Sequence, residues 1–364
     1  MNGEPDTNHG GHASFAPIHM LYRGYLKKKL LFLLSGVVVL VLIALFSATA
    51  GSIRIGFADV VVSLLTFDHG GAGRIVWDVR MPRIVAAVLV GAGLSLSGTM
   101  MQSVLRNPLA SPYTLGLSSA AAFGASCAIV FFDAGVGTTS TILINDTFTV
   151  AASAFIFSVL STLAILLLTL LTRITSESMV LAGIAIGSIF SAGLTLMQYL
   201  ANSIQLASII SWTFGDLGRA NWQFILITFL VFLPIALISF FYRWDFNAMD
   251  TGEETARGLG IRTGAVRVLG MLSASVLSAI AVSFFGTIAF IGLLGPHIAR
   301  RILGGDHRFL LVGSPLIGAV ILLVADTAAR TILSPMVLPV GILTSLMGGP
   351  LFIYLLIATR GRRR

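Results

Sequence analysis

An all-α polytopic membrane protein of about ten transmembrane helices, with both termini in the cytoplasm, is the architecture this sequence predicts. Three observations lead there. Of 364 residues, 56% are hydrophobic and only 10% charged; apolar runs of about 20 residues follow one another closely; and the cations gather in alternate connections. A soluble domain carries about 25% charged residues, and a chain with a mean hydropathy of +0.95 would leave apolar surface uncovered in water. In a bilayer the same side chains face tails as apolar as themselves.

Residues 1–29 read as a polar, disordered cytoplasmic tail that ends in Arg23, Lys27, Lys28 and Lys29. His9, His12 and His19 belong to that solvated tail, and no metal site is expected from them. Ala48-Thr49-Ala50 resembles a signal-peptide cleavage site, but the leader and apolar stretch are both too long, so an uncleaved first helix is expected. A transmembrane domain follows over 30–359. Its crossings are predicted at about 30–50, 84–104, 113–132, 148–171 and 179–200, then 223–241, 266–285, 287–303, 309–329 and 340–358. The eighth is short and contains Pro296 and His297, which suggests a broken helix. A basic tail over 360–364 ends the chain.

Orientation follows from the cations. With the N-terminus inside, the inner segments hold the N-terminal cluster, Arg106, Arg173, Arg243, Arg257, Arg262, Arg267, Arg300, Arg301, Arg308 and the C-terminal arginines, seventeen of the 23 cations. Arg54, Arg74, Arg80, Arg83, Arg219 and Arg330 remain outside. The net charge of +8 is thus a topological signal. No basic face with interleaved aromatics points to nucleic acid.

The longest inner connection, about 243–265, is polar, and its spacing predicts one or two short helices with Asp250 or Thr251 as N-cap and Gly258 or Gly260 as terminators. Outside, Ile204 to Phe214 predicts a short helix that cannot span. Gly98-Thr99 precedes Pro108 by the same offset as Gly286-Thr287 precedes Pro296, which leaves an internal repeat open. Small residues such as Gly91, Gly93, Ser95, Ser97 and Gly98, and Gly183, Gly187, Ser188 and Gly193, predict close helix packing. Between them, Asn107-Pro108-Leu109-Ala110-Ser111-Pro112 must interrupt a helix, which membrane depth tolerates only beside water or a cavity.

Absences narrow the chemistry. There is no GxxxxGK(S/T) loop, HExxH, cysteine pair or nucleophile elbow, so no enzyme activity is expected of the chain. The lone Cys127 reads as a buried small hydrophobe. Asp326 is the one acid set well into a crossing, with Arg330 four residues later on the same face. Pairing of the two and a transport or docking role are both open readings.

At these residues the chain resembles a known family. RMPRIVAAVLVGAGLSLSG at Arg80 to Gly98, QSVLRNPLASPYTLGLSSAAAFGA at Gln102 to Ala125, SMVLAGIAIG at Ser178 to Gly187, FFGTIAFIGLLGPHIARRILGGDHR at Phe284 to Arg308, ADTAAR around Asp326 and LPVGILTSLMGGPLFIYLL at Leu338 to Leu356 are similar, in order and spacing, to the FecCD-type permeases. These are membrane subunits of ATP-driven importers of ferric siderophores, haem or cobalamin. The resemblance implies the type II ABC importer permease fold in the cytoplasmic (inner) membrane of a prokaryote. It implies a second permease copy or a similar paralogue, an ATP-binding cassette ATPase dimer inside, and a substrate-binding protein outside. The chain itself would bind no cofactor, ATP and Mg being held by the ATPase subunits.

By the same resemblance Arg80, Arg83 and Arg330 would dock the binding protein, and Glu253, Glu254, Ala256, Leu259 and Gly260 would couple to the ATPase. Asn107, Leu109, Thr175, Ser176 and Asp326 would line the gate and path. Glu177 departs from the small polar residue the resemblance implies there. A ferric siderophore is the expected substrate. Haem or cobalamin, and molybdate behind them, are alternatives within the family, and an ion-coupled secondary transporter is the alternative of a different class.

Overall fold

The computed structural model describes residues 18–51, 53, 55–66, 70–134, 146–172 and 176–360. The helices among them are α1 (Ile18–Thr49), α2 (Phe57–Thr66), α3 (Ala72–Arg74), a π-helical turn (Ile75–Arg80) that runs into α4 (Met81–Val104), α5 (Leu117–Phe131), α6 (Thr147–Thr172), α7 (Ser176–Leu200) and α8 (Ser203–Thr213). They continue with α9 (Trp222–Phe241), α10 (Arg243–Thr251), α11 (Glu253–Gly258), α12 (Thr263–Phe285), α13 (Ile291–Leu303), α14 (His307–Thr331) and α15 (Val340–Arg360). Among the described residues α1, α4, α6, α7, α9, α12 and α14 are each long and apolar enough to cross a membrane, and α2, α5 and α15 contribute shorter apolar stretches.

Each of the ten expected crossings corresponds to one helix, with differences that have local causes. The first helix begins at Ile18 rather than Leu30, so residues 18–29 continue it instead of belonging to a tail. Met20, Leu21, Leu26 and the lysines are good helix formers, and no Pro interrupts them. The third crossing shortens to α5 because the Asn107–Pro112 stretch keeps 105–116 out of the helix, as its two prolines require. The eighth is α13, unbroken despite Pro296; the irregular backbone lies ahead of it, where Gly286 (φ +75°) and Phe290 (φ +67°) adopt the left-handed region. Gly286 ends α12 whereas Gly98 lies mid-helix in α4, so the two Gly-Thr pairs do not occupy equivalent places. The ten-residue α2 escaped a search for spanning runs, and Cys127 is half-buried rather than buried.

Buried almost along its whole length, α4 is the axis of the bundle and packs on α12, α13, α14 and α9. Its small residues permit this. A Cβ on Gly98 would lie 1.7 Å from the carbonyl oxygen of Gly292 on α13. Pro296, four residues further on, has no N–H to give that carbonyl, so the oxygen can face the approaching helix. Hydroxyls then lock the contact: Ser95 Oγ donates to the Ser314 carbonyl at 2.7 Å, Thr99 Oγ1 to Ser314 Oγ at 2.7 Å, and Ser97 Oγ to the Ala274 carbonyl at 2.6 Å. Such bonds contribute about 0.6–2 kcal/mol each in lipid. Between lipid-solvated helices the hydrophobic effect supplies little, so packing and these bonds decide the arrangement.

Gly98→Val should therefore destabilise the protein by about 1–3 kcal/mol through overpacking. Gly264→Ala on α12, where a Cβ meets nothing within 4 Å, should be neutral or stabilising. Thermal unfolding of the two variants in the same detergent checks the pair.

Candidate functional site

At one end of the bundle the start of α4 meets the ends of α1 and α14. Asp326 on α14 is fully buried. One carboxylate oxygen accepts from Arg83 Nε of α4 at 2.8 Å, and the other from Arg330 Nε at 3.0 Å. The pairing of Asp326 with Arg330 is thus present, and Arg83 is the partner that spacing along one helix could not show. The last turn of α1 leaves carbonyls without intrahelical donors, and arginines supply them. Arg330 donates to the carbonyls of Ala50 (3.1 Å) and Ser47 (3.4 Å), and Arg80 to those of Ala48 and Ile53. Arg83 also reaches Asp216 at 3.5 Å, and Asp216 accepts the Gly218 N–H at 2.7 Å.

Three arginines share two carboxylates here, so the cluster retains one excess positive charge. Arg80, Arg83 and Arg330 are only 4%, 9% and 6% exposed. Their guanidinium groups are engaged within the chain rather than held out as free knobs.

The opposite end carries α10 and α11, where the polar connection 243–265 was expected to fold. Neither Asp250 nor Thr251 caps α11; Gly252 occupies that position, without a side-chain cap. Asp250 faces the bundle instead, 3.3 Å from Arg300 of α13 and 3.1 Å from His307 of α14. His307 Nε2 is also 2.8 Å from Ser103 Oγ of α4. Asn247 of α10 accepts the His307 N–H at 2.8 Å and donates to Asp306 at 3.2 Å. Asp306 is the N-cap of α14, accepting the Arg308 N–H. Burial pushes the Asp250 carboxyl up, but the His307 hydrogen bond and the charges of His307 and Arg300 outweigh it and hold it below the usual range. Burial likewise opposes ionisation of Asp306, and its bonds to Arg308 and Asn247 prevail, holding it at about 2.

On α11, Glu253 accepts from Arg257 at 2.6 Å and from Arg267 of α12 at 2.8 Å, and its carboxyl is held below the usual range chiefly by the Arg267 bond. Ala256 is fully buried against the bundle. The helix stops in a Schellman arrangement, with Ile261 N–H on the Ala256 carbonyl and Gly260 N–H on that of Arg257. Gly260 takes the left-handed φ of +84° this requires. The five expected coupling residues therefore divide: Glu253 and Ala256 anchor the element, while Glu254, Leu259 and Gly260 are exposed. Leu259, 68% exposed, is an apolar side chain at the tip of a charged loop.

Of the expected gate residues, Asn107 is half-buried and spends its amide oxygen on the Leu109 N–H at 2.9 Å, closing the turn that follows α4. Leu109 is 43% exposed. Thr175 lies outside the described residues, and Ser176 and Glu177 enter only as the backbone that opens α7. Asp326 is at the other end, away from this turn. Asn247, His307, Asp306 and Ser103 were not singled out from sequence. The signal available was Asp-His at the start of a helix, an N-cap followed by a residue the cap would bury. No group of three or more His, Cys, Asp or Glu able to hold a metal ion occurs among the described residues.

Over residues 38–358 the chain matches the FecCD transport family. It belongs to that family. The hemin transport system permease protein HmuU of Yersinia pestis is 36% identical over 327 residues, 90% of this chain and 95% of that one. The Fe(3+)-citrate import system permease protein YfmE of Bacillus subtilis is 35% identical over 333 residues, 91% and 96% of the two chains. A solved inward-facing transporter, described as of metal-chelate type, superposes with a TM-score of 0.77 at 30% identity, covering 92% of this chain and 99% of that one. This FecCD chain is therefore a multi-pass permease subunit of an ABC importer and not itself an enzyme.

Two outcomes are expected of the polar clusters in this permease. Asp326→Asn leaves two guanidinium groups short of their counter-charge and should cost about 3–5 kcal/mol, read as lost thermal stability in detergent. Asp306→Ala should cost about 1–2 kcal/mol at neutral pH. Because the folded-state carboxyl titrates at about 2 against an ordinary 3.8, its contribution is complete above about pH 4 and lost as pH falls toward 2. The gap in unfolding temperature between wild type and Asp306→Ala should close over that window.

Proposed function

We propose that the chain, paired with a second permease copy, forms the path by which a ferric siderophore crosses the cytoplasmic membrane. On this reading a soluble binding protein delivers the chelate at the Asp326 end, and an ATPase dimer binds at the cation-rich end and drives transport. The observation that carries the reading is α10–α11, a short element tied to α12, α13 and α14 by buried or half-buried polar contacts, and through the His307 ring to Ser103 of α4. It presents an exposed leucine to whatever lies beneath. A partner that closes on Leu259 would pull on four helices at once. ATP and Mg would act on that partner.

A pair of copies fits the cavities. Where the two irregular segments meet, between Ser111–Leu117 and Ile288–Leu293, the space is about 30 Å³, enough for one water and far too small for an iron chelate. That space does not carry the substrate, and a path between two copies is the reading proposed.

Docking through Arg80, Arg83 and Arg330 takes a modified form, in which the excess charge of the cluster attracts acidic groups of the binding protein without any arginine leaving its carbonyl or carboxylate partners. An ion-coupled transporter is disfavoured by Asp326, which is saturated by two guanidinium groups and so is not a carboxylate available to load and release a cation. The relatives transport hemin and ferric citrate by name, which supports an iron complex as the substrate.

Proteoliposomes holding the permease, its ATPase and the binding protein test the proposal with radiolabelled ferric siderophore. Uptake should require ATP and ignore an imposed proton gradient. Leu259→Glu should lower it at least about tenfold while leaving permease stability little changed, because most of the side chain is exposed. Full uptake by that variant would remove the coupling assignment. Uptake without nucleotide would remove the importer mechanism, and uptake of hemin alone would replace the siderophore.

A further inference from the structure

We infer that a cleft between the cytoplasmic ends of α1, α13 and α14 binds the phosphate headgroup of an anionic phospholipid. The cleft, of about 590 Å³, is lined by Tyr25, Lys28, Lys29 and Phe32 of α1, with Arg301 and Ile302 of α13 and the Leu303-Gly304 turn behind them. Its chemistry centres on Lys29. Lys27 and Lys28 point outward, as basic residues at a helix end ordinarily do. Lys29 is turned in, 5% exposed, and its ammonium has no hydrogen-bond partner among the described residues. What surrounds it is aromatic: Nζ lies 4.1 Å from the centre of the Tyr25 ring and 4.3 Å from that of Phe309.

Ring faces attract a cation but accept none of its three hydrogen bonds in the way water or an anion does. A buried ammonium left so is a donor set awaiting an acceptor. Tyr25 converges on the same space. A methyl group placed on Gly304 would lie 3.8 Å from the Tyr25 hydroxyl and 3.9 Å from Lys29 Nζ, so both groups flank a volume that the glycine leaves open. None of the lining residues is acidic. Asp306, just beyond the turn, is already bound by Arg308 and Asn247. Lys28 and Arg301, both exposed, add positive charge at the mouth. A phosphodiester offers only acceptors and a negative charge, which is what this set lacks.

The position selects a lipid as the source of that phosphate. Phe32, Ile302 and Leu303 form an apolar floor, and from Leu30 onward α1 exposes Leu30, Leu31 and Leu34 along its outer face. A headgroup in the cleft would therefore have its acyl chains against a surface already suited to lipid. Basic pockets at the cytoplasmic end of transmembrane helices hold anionic headgroups by this combination. The inference does not depend on the substrate or energy source proposed above.

Native mass spectrometry of the full-length protein in detergent, titrated with phosphatidylglycerol or phosphatidylcholine of matched acyl chains, tests it. One phosphatidylglycerol should bind at least about tenfold more tightly than phosphatidylcholine. Lys29→Met should abolish the preference, while Lys29→Arg and the outward-facing control Lys27→Met keep it. Should Lys29→Met fail to fold, Arg301→Met at an exposed position is expected to reduce the preference about threefold. Equal binding of both lipids to the wild type, or an unchanged preference in Lys29→Met and Arg301→Met, would overturn the proposal. Displacement of phosphatidylglycerol by millimolar inorganic phosphate would assign the cleft to a soluble anion instead.

Discussion

A carboxylate with no access to water holds this bundle together at one end. Asp326 is fully buried, and in lipid its charge is tolerable only because guanidinium groups from two helices complete its hydrogen bonds. Arg83 brings the start of α4 to it and Arg330 ties in the end of α1, so one side chain fixes three helix ends. Such a cluster does more to specify geometry than to add stability, since apolar packing of the same volume can be as favourable. Helices that slide freely past one another in lipid need a device of this kind, because burial alone does not select a register.

The same two helices carry the other polar cluster. Ser103 near the end of α4 and Asp306-His307 at the start of α14 receive α10 through Asn247 and Asp250. Between the clusters α4 and α14 touch through small residues and the Ser95–Ser314–Thr99 hydroxyls. That combination makes a stiff strut, because tightly packed interiors transmit displacement rather than absorb it. A tilt imposed on α10 and α11 would reach the arginines through this packed pair, whose one interior proline, Pro315 of α14, sits beside the Ser314 hydroxyl contacts.

Much of this was legible in the sequence, for identifiable reasons. Hydropathy located the seven helices long and apolar enough to cross because each carries a sustained apolar run, and Asn107-Pro108 with Ser111-Pro112 marked the unwound segment because proline leaves a helix few options. Asp326 and Arg330 were readable as a pair because an i, i+4 spacing needs no tertiary knowledge. The link from Asp326 to Arg83, 243 positions away, has no such local signature. The role of Asp250 was misassigned for a related reason. An acid before a helix is a good cap by propensity, but a buried histidine and an arginine on other helices offered it stronger bonds. Pro296 was read as a break because the sequence does not reveal that the carbonyl it orphans faces a glycine on α4.

The cations that appear to violate the inside-positive pattern illustrate how structure and topology share one residue type. Arg74 pairs with Asp78; Arg80 and Arg330 serve the end of α1; Arg83 bridges two carboxylates; Arg219 donates to the Ser211 carbonyl. Each described cation at the outer end is thus bound to a named acceptor of the fold. At the end expected inside, Lys27, Lys28, Arg262 and Arg301 are exposed, as the inside-positive pattern favours. Arginine, with five donors in a rigid plane, suits the first task, since it can cap a helix and hold a carboxylate at once. The asymmetry expected from the sequence is one of numbers, seventeen cations against six, and the described members of the smaller set are held by acceptors of the fold.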